Sequence, residues 1–315
     1  MTNQITKLLG IKYPIFQGGM GNISDGRLAA AVSNAGGLGT IGAGTMPVKL
    51  FSERLEQMVA GTNLPCCVNI PLSVHPEVKD IIKTVIESKV PVVSLSAGNP
   101  QPYIPIFHDH GMKVICVTAS VHQAKKAEAA GADIIVCEGY EAAGLNSHLE
   151  TTTMTLVPQI ADAVNIPVAA AGGIADGRGL AAALSLGAQG VQMGTRFIAT
   201  KEAPYHRIYK EKILEANDEA TTIVGRKFQR IRRIMKGDYA DKLLNIEQEN
   251  NTAEYLKMTN EDRHILGAVK GNLDKGYINS GQIAGLIKDM PSVEELILNM
   301  VADAKRILSE GAQLL

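Results

Sequence analysis

The chain alternates short apolar runs with amphipathic stretches, and turns rich in glycine or polar residues separate them. The apolar runs are nearly continuous, as in parallel strands covered on both faces, and the amphipathic stretches have helical spacing. The pair recurs roughly every 20 to 30 residues, which is typical of βα repetition. The predicted strands cover residues 14–17, 37–42, 66–70, 92–97, 113–118, 133–138, 167–171 and 190–194.

Helical stretches lie between these strands, and several begin with a capping Asp or Ser. Eight strands with helices between them predict an α/β fold, the TIM (β/α)8 barrel. A doubly wound sheet is the alternative, but the first strand ends in QGGMG at 17–21, which fails the GxGxxG spacing. The predicted helices cover residues 25–35, 49–59, 76–88, 101–110, 120–130, 153–164 and 176–186.

The pattern changes after residue 200. Residues 203–216 have the pattern of a charged helix, 225–236 of a basic helix, and 245–258 of a polar segment. A glycine-marked turn at 281–285 precedes a final amphipathic helix at 292–314. We therefore predict a barrel over 1–200, an appended helical subdomain on the substrate side over 201–280, and over 281–315 a C-terminal helix that packs back on the barrel.

Composition narrows the class of partner. Lys plus Arg number 31 against 32 for Asp plus Glu. The net charge of −1 therefore produces no positive electrostatic field that would attract nucleic acid or anionic lipid. No apolar run reaches the roughly 18 residues of a membrane span, and the amino-terminal residues lack a secretory pattern, so we expect a cytoplasmic protein with small-molecule substrates. The four cysteines lie in apolar runs, and we expect buried free thiols and no metal site.

The carboxyl ends of the last two predicted strands are rich in glycine. Gly172 and Gly173 follow Ala171 at the seventh strand, and Gly194 and Thr195 close the eighth. Barrels build phosphate sites from these two loops, where glycine lets backbone N–H groups approach an anion. The two loops together predict a phosphate site, although a glycine pair also serves simply to turn a chain.

Other strand ends carry amide or acid side chains. Gln17, Asn69 and Glu138 are placed where they can hydrogen-bond the edge of a planar heterocycle, which suits a flavin. Gln17 and Asn69 are equally suited to capping a neighbouring turn. Positions that leave flat space against the face of a ring are Gly18, Gly19, Met20, Ala97 and Gly98.

Six ordered segments carry a family resemblance: 13–20 (YPIFQGGM), 97–100 (AGNP), 138–144 (EGYEAAG), 152–157 (TTMTLV), 170–177 (AAGGIADG) and 192–197 (QMGTRF). With these segments the chain resembles the nitronate monooxygenase family, and within it the branch of FMN-dependent enoyl-acyl-carrier-protein reductases of the second type. The resemblance runs from about residue 5 to the final helix and includes SGQIAG at 280–285.

The resemblance implies a barrel that binds FMN non-covalently. The phosphate would lie on the Gly172-Gly173 and Gly194-Thr195 loops, and Gly144 adds a further cofactor contact. The ring would lie near Gly19, Met20, Asn69, Glu138 and Gln282.

The chain departs from the family at one position that matters for chemistry. The family string EAGGHxG carries a histidine that serves as base or proton donor, whereas residues 141–148 read EAAGLNSH, with Leu145 at the histidine position. Leucine cannot transfer a proton. His148, in the same loop, is a candidate for that task, or it is a solvated residue or helix cap. Asn146 is a candidate for hydrogen-bonding a substrate oxygen.

Several functions stay open. The first hypothesis is oxidation of alkyl nitronates with O2. Nitronates are already carbanions, so their oxidation does not need the base that Leu145 replaces. NAD(P)H-dependent enoyl-acyl-carrier-protein reduction and NAD(P)H:quinone reduction are enzymatic alternatives, and a flavin-binding protein without turnover is the alternative outside enzymes. The two reductase functions would use NADH or NADPH as the reductant. The final helix is a candidate surface for a homodimer.

The basic segment allows two interpretations. It is a solvated helix face, or it meets an acidic acyl carrier protein or a cofactor phosphate. Its members are Arg226, Lys227, Arg230, Arg232, Arg233 and Lys236.

Overall fold

The eight predicted strands form one parallel sheet. The computed structural model describes residues 3–311 and 313. All eight strand predictions are confirmed, with ends that differ by at most two residues, and the short strand β7 lies outside this sheet. In chain order the strands are β1 (Ile15–Gln17), β2 (Gly39–Gly42), β3 (Cys66–Pro71), β4 (Val92–Ser96), β5 (Lys113–Thr118), β6 (Ile134–Glu138), β7 (Gly144–Leu145), β8 (Val168–Ala171) and β9 (Gly190–Met193).

The sheet closes into a barrel where β1 meets the residue just before β2. Strands pair in the order β1-β9-β8-β6-β5-β4-β3-β2. Leu38 donates its N–H to the Ile15 carbonyl at 2.9 Å and accepts from the Gln17 N–H at 2.9 Å. Closure excludes the doubly wound alternative and brings the carboxyl ends of all eight strands to one face, where barrel enzymes place their active sites.

The predicted helices follow the strands and cover the outside of the barrel. Asp25 caps α2, its Oδ1 accepting from the N–H groups of Arg27 and Leu28 at 2.9 and 3.1 Å, and Asp176 caps α8 in the same way. The seven predicted helices are α2 (Gly26–Asn34), α3 (Val48–Gly61), α4 (Val78–Ser88), α5 (Ile104–Asp109), α6 (Val121–Ala129), α7 (Thr153–Ala161) and α8 (Gly177–Ser185). The sequence did not predict α1 (Gln4–Leu9), which precedes β1, or the short α9 (Thr195–Ile198) after β9.

Apolar side chains fill the barrel and the layer around it. Phe16, Val92 and Ile115 belong to the inner cluster, which Ile5 and Leu9 of α1 join from the amino end. A larger cluster lies between sheet and helices. All four cysteines are free and buried, as expected. Burial and the nearby Asp133 raise the pKa of the Cys116 thiol to about 12, so this side chain is not a nucleophile at neutral pH.

The predicted basic helix at 225–236 is wrong. Those residues form the turn and second strand of an antiparallel hairpin, β10 (Thr221–Val224) and β11 (Arg232–Met235), and β11 also pairs with β7. Gly225 and Gln229 in the turn have φ of 84° and 54°, which a helix does not allow. The appended part is therefore mixed rather than purely helical, and Arg232 and Arg233 are buried rather than on a solvated face.

Further helices complete the chain after β9. The predicted final helix is confirmed as α14 (Val293–Gly311), which packs against α8 and α2, while residues 312 and 314 of that prediction lie outside the described residues. The division of the chain at residues 200 and 280 stays a prediction. No helix in the described part is long and apolar enough to cross a membrane. These helices are α10 (Arg207–Leu214), α11 (Asp238–Gln248), α12 (Thr252–Met258), α13 (Glu261–Ala268) and α14 (Val293–Gly311).

Candidate active site

A cavity of about 960 Å³ opens at the carboxyl ends of the barrel strands. Of the residues predicted to bind the cofactor or act in catalysis, two do not line it: Gln17 is sealed beneath the surface, and the Gln282 side chain is exposed while its neighbours Gly281 and Ile283 line the cavity. The others line it together: Gly18, Gly19, Met20, Asn69, Ala97, Gly98, Glu138, Gly144, Asn146, His148, Ala171, Gly172, Gly173, Gly194 and Thr195.

The glycines after β8 and β9 form the part of the wall predicted to bind phosphate. Gly172 and Gly173 have φ of 95° and 71°, a left-handed conformation that L side chains rarely adopt. A Cβ on Gly194 would meet no atom of the described chain within 4 Å, so this backbone faces open space. The Thr153 hydroxyl braces the first loop by donating to the Gly172 carbonyl at 3.1 Å.

A segment that follows the appended part joins the loop after β9 to the loop after β6. The Gly281 N–H donates to Thr195 Oγ1 at 3.0 Å, and the Gln282 N–H donates to the Glu141 carbonyl at 3.0 Å. The Glu141 carboxylate in turn accepts from the Thr153 N–H at 2.9 Å. The backbone around Gln282 thus holds the rim of the cavity, although its side chain does not reach inside.

Asn69 is held in a fixed orientation at the end of β3. Its Nδ2 donates to Ser94 Oγ at 3.2 Å and to Ser96 Oγ at 3.1 Å. A Cβ on Gly19 would lie 2.7 Å from the Asn69 Cβ, so only glycine allows this approach. Ala97 nearby has a φ of 47°, a conformation that costs an alanine on the order of 1 kcal/mol.

Two buried polar groups near the site lack partners within the described residues. Gln17 Nε2 and Thr118 Oγ1 have no hydrogen-bond partner, and Thr118 lines the cavity. Such groups are rare in folded proteins because each costs about 1 to 3 kcal/mol. Both atoms are enclosed by protein, so neither offers its hydrogen-bonding group to the open cavity.

Glu138 lies at the end of β6 in the cavity wall. Burial raises the pKa of its carboxyl from 4.5 to about 7. At neutral pH this side chain can therefore donate or accept a hydrogen bond.

We expect Glu138→Gln to stabilise the flavin-free protein at pH 8 by up to about 3 kcal/mol. Because the folded protein holds the Glu138 proton more tightly than the unfolded chain, the stability of the natural protein falls as the pH rises from 4.5 to 7. Glutamine has no such proton, so urea unfolding should show its advantage at pH 8 and not at pH 5. Glu87→Gln, at an exposed position, is the matched control; an equal advantage for Glu138→Gln at both pH values would contradict the raised pKa.

The loop predicted to supply catalysis also lines the cavity. Leu145 is 47% exposed and lines the cavity on β7, so no proton-transferring side chain stands at the family histidine position. The Asn146 Nδ2 donates to the Ala142 carbonyl at 2.9 Å and so braces the loop. His148 is exposed and lines the cavity. The catalytic assignments of Asn146 and His148 stay predictions.

A polar cluster from the appended part also lines the cavity, and the sequence analysis missed it. His264 is buried, stacks on Tyr277 with ring centroids 5.3 Å apart, and has its Nδ1 3.7 Å from Glu261 Oε2. Arg232 Nη2 lies 3.9 Å from Glu261 Oε1. Asn279 joins the two halves, because its Oδ1 accepts from Arg232 Nη1 at 3.3 Å and its Nδ2 lies 3.2 Å from His264 Nε2.

The other arginines of the basic segment have different surroundings. Arg233 donates to the Tyr140 carbonyl at 3.0 Å and lies 5.0 Å from the centroid of the Tyr140 ring. Arg226 is exposed and pairs with Glu150 at 2.7 Å. Arg233 is therefore structural, and the charges of the segment that face solvent lie in the hairpin turn and at Lys236, just after β11.

Together these features define a TIM-barrel enzyme whose site lies at the carboxyl ends of its strands, with a glycine-lined wall and an ionic wall. Among the described residues, no group of three or more His, Cys, Asp or Glu is placed to hold a metal ion.

Comparison with known proteins shows the family. The profile described as nitronate monooxygenase matches residues 2–83 and 62–303. A probable nitronate monooxygenase of Staphylococcus saprophyticus is 34% identical over 98% of this chain and 99% of its own. The chain belongs to the nitronate monooxygenase family, whose members are flavin-dependent oxidoreductases, and it is an oxidoreductase.

Two further relatives are similar over nearly their whole length. The (3aS,4S,5R,7aS)-5-hydroxy-7a-methyl-1-oxo-octahydro-1H-indene-4-carboxyl-CoA dehydrogenase of Mycobacterium tuberculosis is 32% identical over 95% of both chains. The structure of FabK from Thermotoga maritima is 41% identical, covers 100% of both chains and superposes with a TM-score of 0.96.

Proposed function

We propose that the protein is an FMN-dependent reductase of enoyl thioesters with NADH or NADPH as the source of hydride. The likeness to FabK carries this proposal, because it covers 100% of both chains at 41% identity and FabK is an enoyl-acyl-carrier-protein reductase of the second type. The cavity supports it: about 960 Å³ lies at the upper end of the range for one drug-sized ligand, so a cofactor and a substrate can share it.

The lining residues fit FMN. Gly194 presents its backbone to open space, as close approach to a phosphate requires, and Gly172 and Gly173 hold the left-handed turn of the neighbouring loop in the same wall. Glu138 is poised between its protonated and ionised forms at neutral pH, which suits a heterocycle edge that has both donors and acceptors. When bound, FMN supplies two-electron transfer between a nicotinamide and a second substrate.

Anaerobic stopped-flow mixing of the purified yellow protein tests the function. We expect NADH or NADPH to bleach the flavin, and crotonyl-CoA then to restore its colour without O2. A flavin that no nicotinamide bleaches, or a bleached flavin that crotonyl-CoA leaves colourless, would exclude thioester reduction.

Oxidation of alkyl nitronates is the second candidate, favoured by Leu145. A nitronate is already deprotonated, so its oxidation does not need the base that the family histidine provides. In the same apparatus, bleaching by propionate 3-nitronate with no bleaching by NADH or NADPH would establish this candidate in place of the first.

The exposed positive charge of the hairpin turn supports binding of a substrate on a negatively charged carrier. Arg226, Lys227 and Arg230 are exposed, and Gln229 of the same turn lines the cavity. A comparison of crotonyl-CoA with a crotonyl group on acyl carrier protein decides which carrier the enzyme prefers.

A further inference from the structure

Arg232 lines the cavity with hydrogen-bond donors to spare. Its Nη1 donates to Asn279 Oδ1 at 3.3 Å, and the contact of its Nη2 with Glu261, at 3.9 Å, is an ion pair without a hydrogen bond. A guanidinium has five N–H groups. In the described chain, the buried side-chain atoms without a hydrogen-bond partner belong to Gln17, Thr118 and Arg196. The unpaired nitrogens of Arg232 are not among them, so they are not enclosed by protein. They open on the cavity that this residue lines.

The position of Arg232 is set by its strand partner. Arg232 on β11 lies directly opposite Leu145 on β7 in an antiparallel pair. Residues opposite each other in such a pair direct their side chains to the same face, with Cβ atoms about 5 Å apart. The guanidinium therefore enters the cavity beside the place where the family resemblance puts a histidine.

The neighbours of Arg232 hold it in place. Glu261 supplies the counter-charge, Asn279 accepts from the guanidinium, and the Tyr277 ring lies 5.2 Å from its central carbon. His264 fixes this support through its stack on Tyr277 and its contact with Asn279. A cation held this way loses little freedom when an anionic oxygen binds it.

We propose that Arg232 binds the carbonyl oxygen of the enoyl thioester and stabilises the negative charge that collects there during reduction; the inference rests on the proposed function. Hydride that originates from NAD(P)H forms the new C–H bond at the β-carbon. The electron pair of the C=C bond moves towards the thioester oxygen, and the resulting enolate is held by the guanidinium. Water then delivers a proton to the α-carbon, so no acidic side chain is needed at Leu145.

Two variants and two readouts test this role. Arg232→Met/Glu261→Gln removes both charges of the pair, and Arg232→Lys keeps the charge but shortens the donor. We expect the double variant to keep the rate of flavin bleaching by nicotinamide within twofold and to lose about 100-fold in reoxidation by crotonyl-CoA. Arg207→Met, on the exposed surface of α10, is the matched control and should change neither rate.

The second readout needs no turnover. Acetoacetyl-CoA forms an enolate with its own ultraviolet absorbance, and we expect the oxidised natural holoenzyme to draw the bound probe into that form. The double variant should lose the absorbance, and Arg232→Lys should retain a part of it. If the double variant does not fold, Arg232→Lys alone decides, with an expected loss of at least tenfold in reoxidation.

The outcomes separate the inference from the function beneath it. Reoxidation by crotonyl-CoA that is unchanged in Arg232→Lys and in the double variant, with the enolate absorbance intact, overturns the role of Arg232 and leaves the reductase standing. A natural enzyme that crotonyl-CoA does not reoxidise overturns the function itself, and the inference with it.

Discussion

Gly194→Val is expected to fold like the natural chain and to lose FMN. In the flavin-free protein the new side chain meets no neighbour within 4 Å of its Cβ, and Gly194 has a negative φ of −112°, so the substitution brings neither a clash nor backbone strain. The methyl groups instead occupy the cavity where we place the phosphate. We expect at least a 100-fold loss of FMN affinity, about 2.7 kcal/mol.

Titration of flavin-free protein with FMN, followed by quenching of flavin fluorescence, measures the loss. The melting temperature of the flavin-free variant should match that of the natural chain, which separates binding from folding. Gly311→Val, at the end of α14, is the matched control, because a Cβ there also meets nothing within 4 Å. An affinity for FMN within threefold of natural would move the phosphate away from Gly194. Gly172 is unsuitable for this test, because its positive φ would strain any replacement.

The barrel was predictable because its strands are buried on both faces and therefore appear as continuous apolar runs. The prediction of the glycine-lined wall followed from glycines at the carboxyl ends of the last two predicted strands, where a barrel builds its phosphate site. Residues 19, 69, 138, 172 and 194 are far apart in the chain, but closure brings all strand ends to one face. Gln17 is the exception: Phe16 before it faces the barrel interior, so alternation directs Gln17 away from it.

The ionic wall was not predictable for a physical reason. A strand covered on both faces shows no alternation, and Arg232 and Arg233 are adjacent in β11 although one lines the cavity and the other contacts Tyr140. Basic residues at 226, 230 and 233 also fit helical spacing, which led to the wrong element. His264 and Asn279 meet Arg232 only through the Glu261 ion pair and the pairing of Asn279 with Ile234, and no sequence motif encodes those contacts.

Arg232→Met by itself is expected to destabilise the protein by about 3 kcal/mol at pH 7. The substitution leaves the Glu261 carboxylate, whose side chain is 22% exposed, with His264 at 3.7 Å and the Asn22 N–H at 3.4 Å as its remaining partners. Removing one member of a largely buried pair costs more than the pair contributes, because the other charge stays without compensation. The double variant Arg232→Met/Glu261→Gln removes both charges and should recover most of the loss.

The pH dependence of this cost identifies its origin. Burial by itself would raise the pKa of Glu261, but His264, Arg232 and the Asn22 N–H together lower it to about 2. The resulting stabilisation is complete above pH 4.5 and is lost as the pH falls towards 2, where the carboxyl becomes neutral. The stability difference between the natural chain and Arg232→Met, measured by urea unfolding of the flavin-free proteins, should therefore shrink between pH 7 and pH 3. A difference of the same size at both pH values would mean that the cost comes from the lost packing of the arginine stem and not from the unpaired charge of Glu261.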